Sequence, residues 1–145
     1  MSRFNFKIIL SILGLLLTIN GVAMLLPLPF AIYYGEEWQS MVYSSMLSFL
    51  AGAPVWMILN RGTNRELKRR DGYIVVTMGW IIMSVFGTLP YIISGTIPEF
   101  TNAFFETMSG YTTTGASILT DIESAPKSIL LWRSLTQWIG GMGII

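Results

Sequence analysis

The chain has 145 residues, of which 52% are hydrophobic and 12% charged, with mean hydropathy +0.59 and a net charge of +1. Charge lies well below the roughly 25% usual in soluble domains, which excludes an ordinary soluble globule and indicates a membrane protein; the long apolar runs below read as helices, so an all-α membrane fold is expected. Without cysteine or histidine there is no disulfide, thiolate or imidazole chemistry, and so no constellation expected of an enzyme. No nucleic-acid partner is expected.

Residues 1–7 carry Arg3 and Lys7 and lead into an uncharged apolar run from Ile8 to about Tyr34. That run exceeds the ~20 residues a helix needs to cross a bilayer. A basic start before an apolar run also fits a signal peptide, with Gly21, Val22 and Ala23 offering a cleavage site. The run continues through Leu25 and Leu26, where a cleaved product turns polar, so an uncleaved helix is the expectation. Pro27 and Pro29 mark its far end. Glu36 and Glu37 then form an acidic turn. The next apolar segment, 38–59, opens on Trp38, a residue suited to the membrane interface, and holds Pro54 beside Gly52 and Ala53, where a kink is expected.

Residues 60–71 hold Arg61, Arg65, Lys68, Arg69 and Arg70 against Glu66 and Asp71. They read as a solvated connector, or as a surface for anionic membrane lipid or a cytosolic partner. Residues 1–7 and 60–71 together hold seven of the nine Lys and Arg residues, and the turn between the two apolar segments has none. The positive-inside rule therefore puts both stretches, and the N-terminus, on the cytoplasmic side. The chain divides into a leading transmembrane helix pair with its basic loop, 1–71, and a helix–loop–helix unit, 72–145.

In the second part an outer helix is expected over 72–97. Gly87, Pro90 and Gly95 allow it to bend or end early, while Trp80 and Tyr91 serve lipid or packing contacts. Residues 98–117, PEFTNAFFETMSGYTTTGAS, are too polar and too short to span a bilayer. A pore helix is expected over 99–109 and an irregular filter segment over 110–117. Asp121, Glu123, Ser124 and Pro126 form an exposed turn, and a second helix follows over 127–145. At about 1.5 Å per residue that helix only just crosses the hydrocarbon core, and it stops in an apolar run, so the chain is expected to be part of a longer protein. With the outer helix ending outside and the acidic turn also outside, 98–117 must enter and leave by one face. Irregular backbone at membrane depth is tolerated only where protein buries it or where it lines a watery cavity. A re-entrant pore loop meets that condition; a Ser/Thr/Gly-rich external loop is the plainer alternative.

The chemistry suits a dehydrated potassium ion, whose lost water must be replaced by oxygens, as rings of backbone carbonyls do in potassium channels. Thr112, Thr113, Thr114, Gly115 and Ala116 are small or hydroxylated, with a glycine where ordinary dihedrals fail. The negative end of the pore-helix dipole would face the cation. Glu106, on that helix, and Arg133, about two turns into the last one, are costly at depth unless paired or facing water. They either pair across the pore helix and support the filter, or snorkel separately to the interface. Gly140, Gly141 and Gly143 suit close helix packing rather than a phosphate loop, since no strand precedes them.

The run from Ala103 through Glu106, Gly110, Thr112, Thr113, Thr114, Gly115 and Ala116 to Ser117 resembles the first pore loop of the Trk/Ktr/HKT superfamily of potassium transporters. The run from Trp132 and Arg133 through Gly140 and Gly141 to Ile145 resembles the start of that family's following helix. The leading helix pair resembles the TrkH-like branch. This resemblance implies four covalently linked repeats around one pore, of which the chain holds the first, and filters built on single glycines. In the related plant transporters glycine at the first-loop position goes with potassium and serine with sodium, and Gly115 matches that glycine. It further implies potassium as the transported ion with no other cofactor, three further pore repeats, a homodimer, a cytosolic nucleotide-binding regulatory subunit and residence in the inner membrane. A second reading, from a different class, is a non-transporting membrane anchor or assembly subunit.

Overall fold

The computed structural model describes residues 5–60 and 69–143. Most of the basic connector, 61–68, lies outside the described residues, as do Arg3 and the last two residues. Among the described residues the regular structure is wholly helical.

The first apolar run forms α1 (Phe6–Ala23), a turn, and the short α2 (Leu28–Tyr33). Pro27 and Pro29 therefore do not mark the end of the run. Proline lacks an N–H and fits the first turn of a helix, where that donor has no partner to lose; here Pro27 is the N-cap of α2 and Pro29 sits in its first turn. Taken together, Phe6–Tyr33 is a 28-residue stretch long and apolar enough to cross a membrane. The second such stretch is α3 (Gln39–Leu59), which continues through Pro54. The third comprises α4 (Arg69–Gly87) and α5 (Leu89–Ile93). The chain breaks at Thr88 for the same reason, with Pro90 in the first turn of α5. The expected single outer helix over 72–97 is thus two helices, and it ends at Ile93, beyond which Gly95 turns with φ +72°. The remaining helices are α6 (Phe100–Tyr111) and α7 (Lys127–Gly141).

Helices α1 and α3 run antiparallel with their backbones in close approach. A Cβ on Gly52 would lie 2.7 Å from the Gly14 carbonyl oxygen, and one on Gly21 would lie 3.2 Å from Ser48 Cβ. Ser45 crosses this seam to donate to the Gly21 carbonyl at 2.7 Å. Small residues are what membrane helices use to meet, because lipid tails are as apolar as leucine and offer no hydrophobic drive. Helix α4 packs on α1, and α6 packs on both α4 and α7. Leu13 and Met41 belong to the same buried cluster as Met83, Tyr111 and Trp132. The leading pair and the helix–loop–helix unit therefore share one core, which is what holds α6 at a defined depth.

Candidate functional site

Depth can be read from the register of neighbouring helices. Asn20 lies at the middle of Phe6–Tyr33, and Trp80 and Met83 straddle the middle of Arg69–Ile93. Tyr111, the last residue of α6, donates its hydroxyl to Asn20 Oδ1 at 2.5 Å. Its ring meets Trp80 edge-on with centroids 6.3 Å apart. Helix α6 therefore ends at mid-depth. Its start follows the far end of the third stretch, where the Ile97 N–H bonds the Tyr91 carbonyl at 3.1 Å. The chain then returns to that same end. Glu36, in the turn between α2 and α3, accepts the N–H groups of Lys127 and Ser128 at 2.6 and 2.9 Å. Residues 98–126 go in and come back by one face.

At the tip of this excursion residues 112–116 are all exposed in this chain. Thr112 caps α6, and the N–H of Thr114 folds back onto the Ser109 carbonyl at 3.0 Å. Thr113 has φ +57° and Gly115 has φ +77°, so left-handed backbone occurs at alternate positions. For a β-branched residue such as Thr113 that conformation carries a penalty on the order of 1–2 kcal/mol. Gly115 has room for a small side chain, its nearest neighbour being Gln137 Nε2 at 3.6 Å from a built Cβ. The requirement for glycine there is conformational rather than steric. Three loop carbonyls are engaged: Thr112 accepts the Thr113 hydroxyl at 2.7 Å, Ala116 accepts the Ser109 hydroxyl at 2.6 Å, and Gly115 lies 3.5 Å from Arg133 Nη2. The Thr113 and Thr114 carbonyls accept no hydrogen bond among the described residues. The expected filter boundaries shift accordingly. Gly110 and Tyr111 are helical, because Tyr111 is anchored by Asn20, and Ser117 turns inward.

Ser117 turns toward Glu106. The Glu106 carboxylate, 1% exposed, receives Arg133 Nε at 2.5 Å, the Ser117 hydroxyl at 3.1 Å and the Ile118 N–H at 2.8 Å. Glu106 and Arg133 thus pair rather than snorkel apart. The carboxylate ties α6, α7 and the exit of the loop together, which its spacing in the chain alone could not reveal.

Other residues that hold the loop carried weaker sequence signals. A Cβ on Gly140 would lie 2.0 Å from the Tyr111 carbonyl oxygen, and one on Gly110 would lie 2.2 Å from Thr136 Oγ1. Trp132 is fully buried and donates its indole N–H to the Gly87 carbonyl at 3.1 Å. Asn20 is the only amide in its apolar run, which is the one sequence signal for this mid-membrane polar contact. Glu36 carried no signal beyond an acidic turn. It caps α7, whose own N-cap, Pro126, makes no side-chain cap bond. Burial pushes the Glu36 carboxyl up, but the hydrogen bonds from Ser128 and Lys127 outweigh it and leave its pKa below 4.5.

A family model described as TrkH, cation transport protein, matches residues 37–145. The Trk system potassium uptake protein TrkH of Halomonas elongata is 36% identical over 143 residues, covering 97% of this chain and 30% of that protein. The TrkH protein of Vibrio parahaemolyticus is 39% identical over 144 residues, covering 97% of this chain and 29% of its own length. The crystal structure of the potassium transporter TrkH from Vibrio parahaemolyticus superposes with a TM-score of 0.87 at 38% identity, across 97% of this chain and 30% of that one. The chain thus spans 29–30% of the length of these relatives.

Proposed function

The chain belongs to the TrkH family of cation transport proteins, and on that premise we propose that it contributes the first of four walls of a potassium-uptake path. Thr112, Thr113, Thr114, Gly115 and Ala116 face the ion, mainly through backbone carbonyls, with Thr113 and Thr114 the freest donors. The observation that carries this reading is the exposed row 112–116 at mid-depth, at the carbonyl end of α6, with left-handed backbone at Thr113 and Gly115. Backbone held in that way is unfavourable unless something uses it. A helix C-terminus carries about half a negative charge, which suits a cation stripped of water. A single loop cannot surround an ion, so three further pore repeats complete the ring.

The Glu106–Arg133 pair serves as structural support for this loop. The relatives' names support transport rather than catalysis, and potassium is the cargo rather than a resident cofactor. The wider assembly has the protein as a homodimer in the inner membrane, its N-terminus cytoplasmic, contacting lipid and a cytosolic nucleotide-binding regulatory subunit. Gly115→Ser, in the protein at its natural full length, tests the filter assignment. Serine at φ +77° is strained and must move the neighbouring carbonyls, so the ratio of potassium to sodium uptake should fall. Unchanged uptake and an unchanged ratio would remove 112–116 from the ion path.

A further inference from the structure

The contact between Asn20 and Tyr111 joins two residues 91 positions apart in the chain. Asn20 belongs to α1, in the leading pair, and Tyr111 directly precedes the exposed loop. Both side chains are fully buried. Asn20 uses both ends of its amide: Oδ1 accepts the Tyr111 hydroxyl at 2.5 Å, and Nδ2 donates to the Met83 carbonyl of α4 at 3.4 Å. In a setting without water a hydroxyl and an amide each need a partner, since an unsatisfied buried group carries its full desolvation penalty. The Tyr111 ring is bounded by Trp80, and by Gly87, on which a Cβ would come within 3.3 Å of Tyr111 Cε2. Its main chain is bounded by Gly140, which leaves no space for a methyl group against the Tyr111 carbonyl. Ring and main chain of the same residue are therefore both held, the ring by Asn20 and Trp80 and the carbonyl by Gly140. The next residue, Thr112, opens the ion-facing row.

We propose that Asn20 is a positioning residue for the ion path: by holding the Tyr111 hydroxyl it sets the depth and orientation at which residues 112–116 leave α6. The leading helix pair would then govern selectivity without touching an ion. This inference rests on the loop being part of the ion path, and it goes beyond that reading by assigning a role to the leading pair.

The test is a double-mutant cycle of Asn20→Leu and Tyr111→Phe in the full-length protein. Rubidium and sodium uptake would be measured in cells lacking other potassium uptake, at matched amounts of folded protein. Each single substitution strands one buried polar group and releases the last turn of α6, so the rubidium-to-sodium ratio should drop about tenfold. The double variant strands neither on this axis and keeps both apolar volumes, so it should return to within about twofold of the parent. Should Asn20→Leu fail to accumulate, Tyr111→Phe, which retains the ring and its packing, still reports whether loss of the hydroxyl contact lowers the rubidium-to-sodium ratio. A purely structural contact would lower the folded amount and leave the ratio intact, and that result overturns the proposal. Multiplying single effects in the double variant overturns it as well. If the parent itself discriminates no ions, the ion-path reading falls and this inference with it. If the parent discriminates and Tyr111→Phe does so equally, only the role of Asn20 falls.

Discussion

Arg133 Nε meets Glu106 Oε1 at 2.5 Å across the α6–α7 interface, and the receiving carboxylate is 1% exposed. Breaking a buried pair on one side leaves an uncompensated charge, at a cost of about 3–5 kcal/mol. Glu106→Ala should therefore markedly lower the unfolding midpoint of the full-length protein in detergent, and it should reduce uptake in cells. Arg133→Met should do the same, less severely, because Arg133 is 18% exposed and partly solvated. A charge swap should not rescue either. The Ser117 hydroxyl and the Ile118 N–H both donate to Glu106, and an arginine at 106 has nothing to accept them with. Full rescue by the swapped pair would show that these two donors contribute little.

Much of this site was legible because membrane physics makes polar residues conspicuous. Thr112, Thr113 and Thr114 are conspicuous as hydroxyls in an apolar chain, followed by Gly115, and Glu106 and Arg133 as two charges at depth. What escaped was set by partners distant in sequence. Helix α6 reaches Tyr111 rather than ending at 109 because its last side chain is tied to Asn20, 91 residues earlier. No local pattern could place that boundary, since glycine and tyrosine at 110 and 111 tolerate either helix or loop. The prolines misled for a different reason. Pro27 and Pro29 fit the stop of a helix, yet proline is equally at home starting one, and only the continuation of helix to Tyr33 distinguishes the two. The re-entrant path was legible from counting faces, but its depth was not, because depth comes from the α1 and α4 registers.

The glycines divide into those whose neighbours are rigid and those with space. Gly140→Ala places a methyl 2.0 Å from the Tyr111 carbonyl oxygen, with the Tyr111 carbonyl carbon and Cα also within 2.9 Å. Backbone on the far side cannot rotate away as a flexible side chain could. Overpacking of this kind costs about 1–3 kcal/mol or more, and here it also pushes the chain just before Thr112. Gly52→Ala meets the same obstacle at the α1–α3 seam, 2.7 Å from the Gly14 carbonyl oxygen. Gly141→Ala has only Thr113 Cγ2 near it, at 3.7 Å, and Gly72→Ala meets nothing within 4 Å. Unfolding midpoints should fall for Gly140→Ala and Gly52→Ala and stay within a degree or so for Gly141→Ala and Gly72→Ala. Only Gly140→Ala should also disturb ion discrimination.

The cap that Glu36 places on α7 makes a pH prediction with a defined sign. Its carboxyl accepts the Lys127 and Ser128 amides and the Ser128 hydroxyl, at 2.6, 2.9 and 2.8 Å, and its pKa lies below the ordinary 4.5. A depressed carboxylate contributes stability that is complete above the unfolded-state pKa and is lost as pH falls through the folded one. The cap should therefore be at full strength from neutrality down to the ordinary value and should fade only in more acidic medium. A charged cap at a helix N-terminus contributes about 1 kcal/mol, and part-exposure to solvent trims that figure. Glu36→Ala should lower the unfolding midpoint by a few degrees at neutral pH, with a gap from the parent that is flat down to about pH 5 and closes only as pH falls below the ordinary carboxylate range. A gap that instead changed between neutrality and about pH 5 would mean that a group other than this carboxylate controls the start of α7.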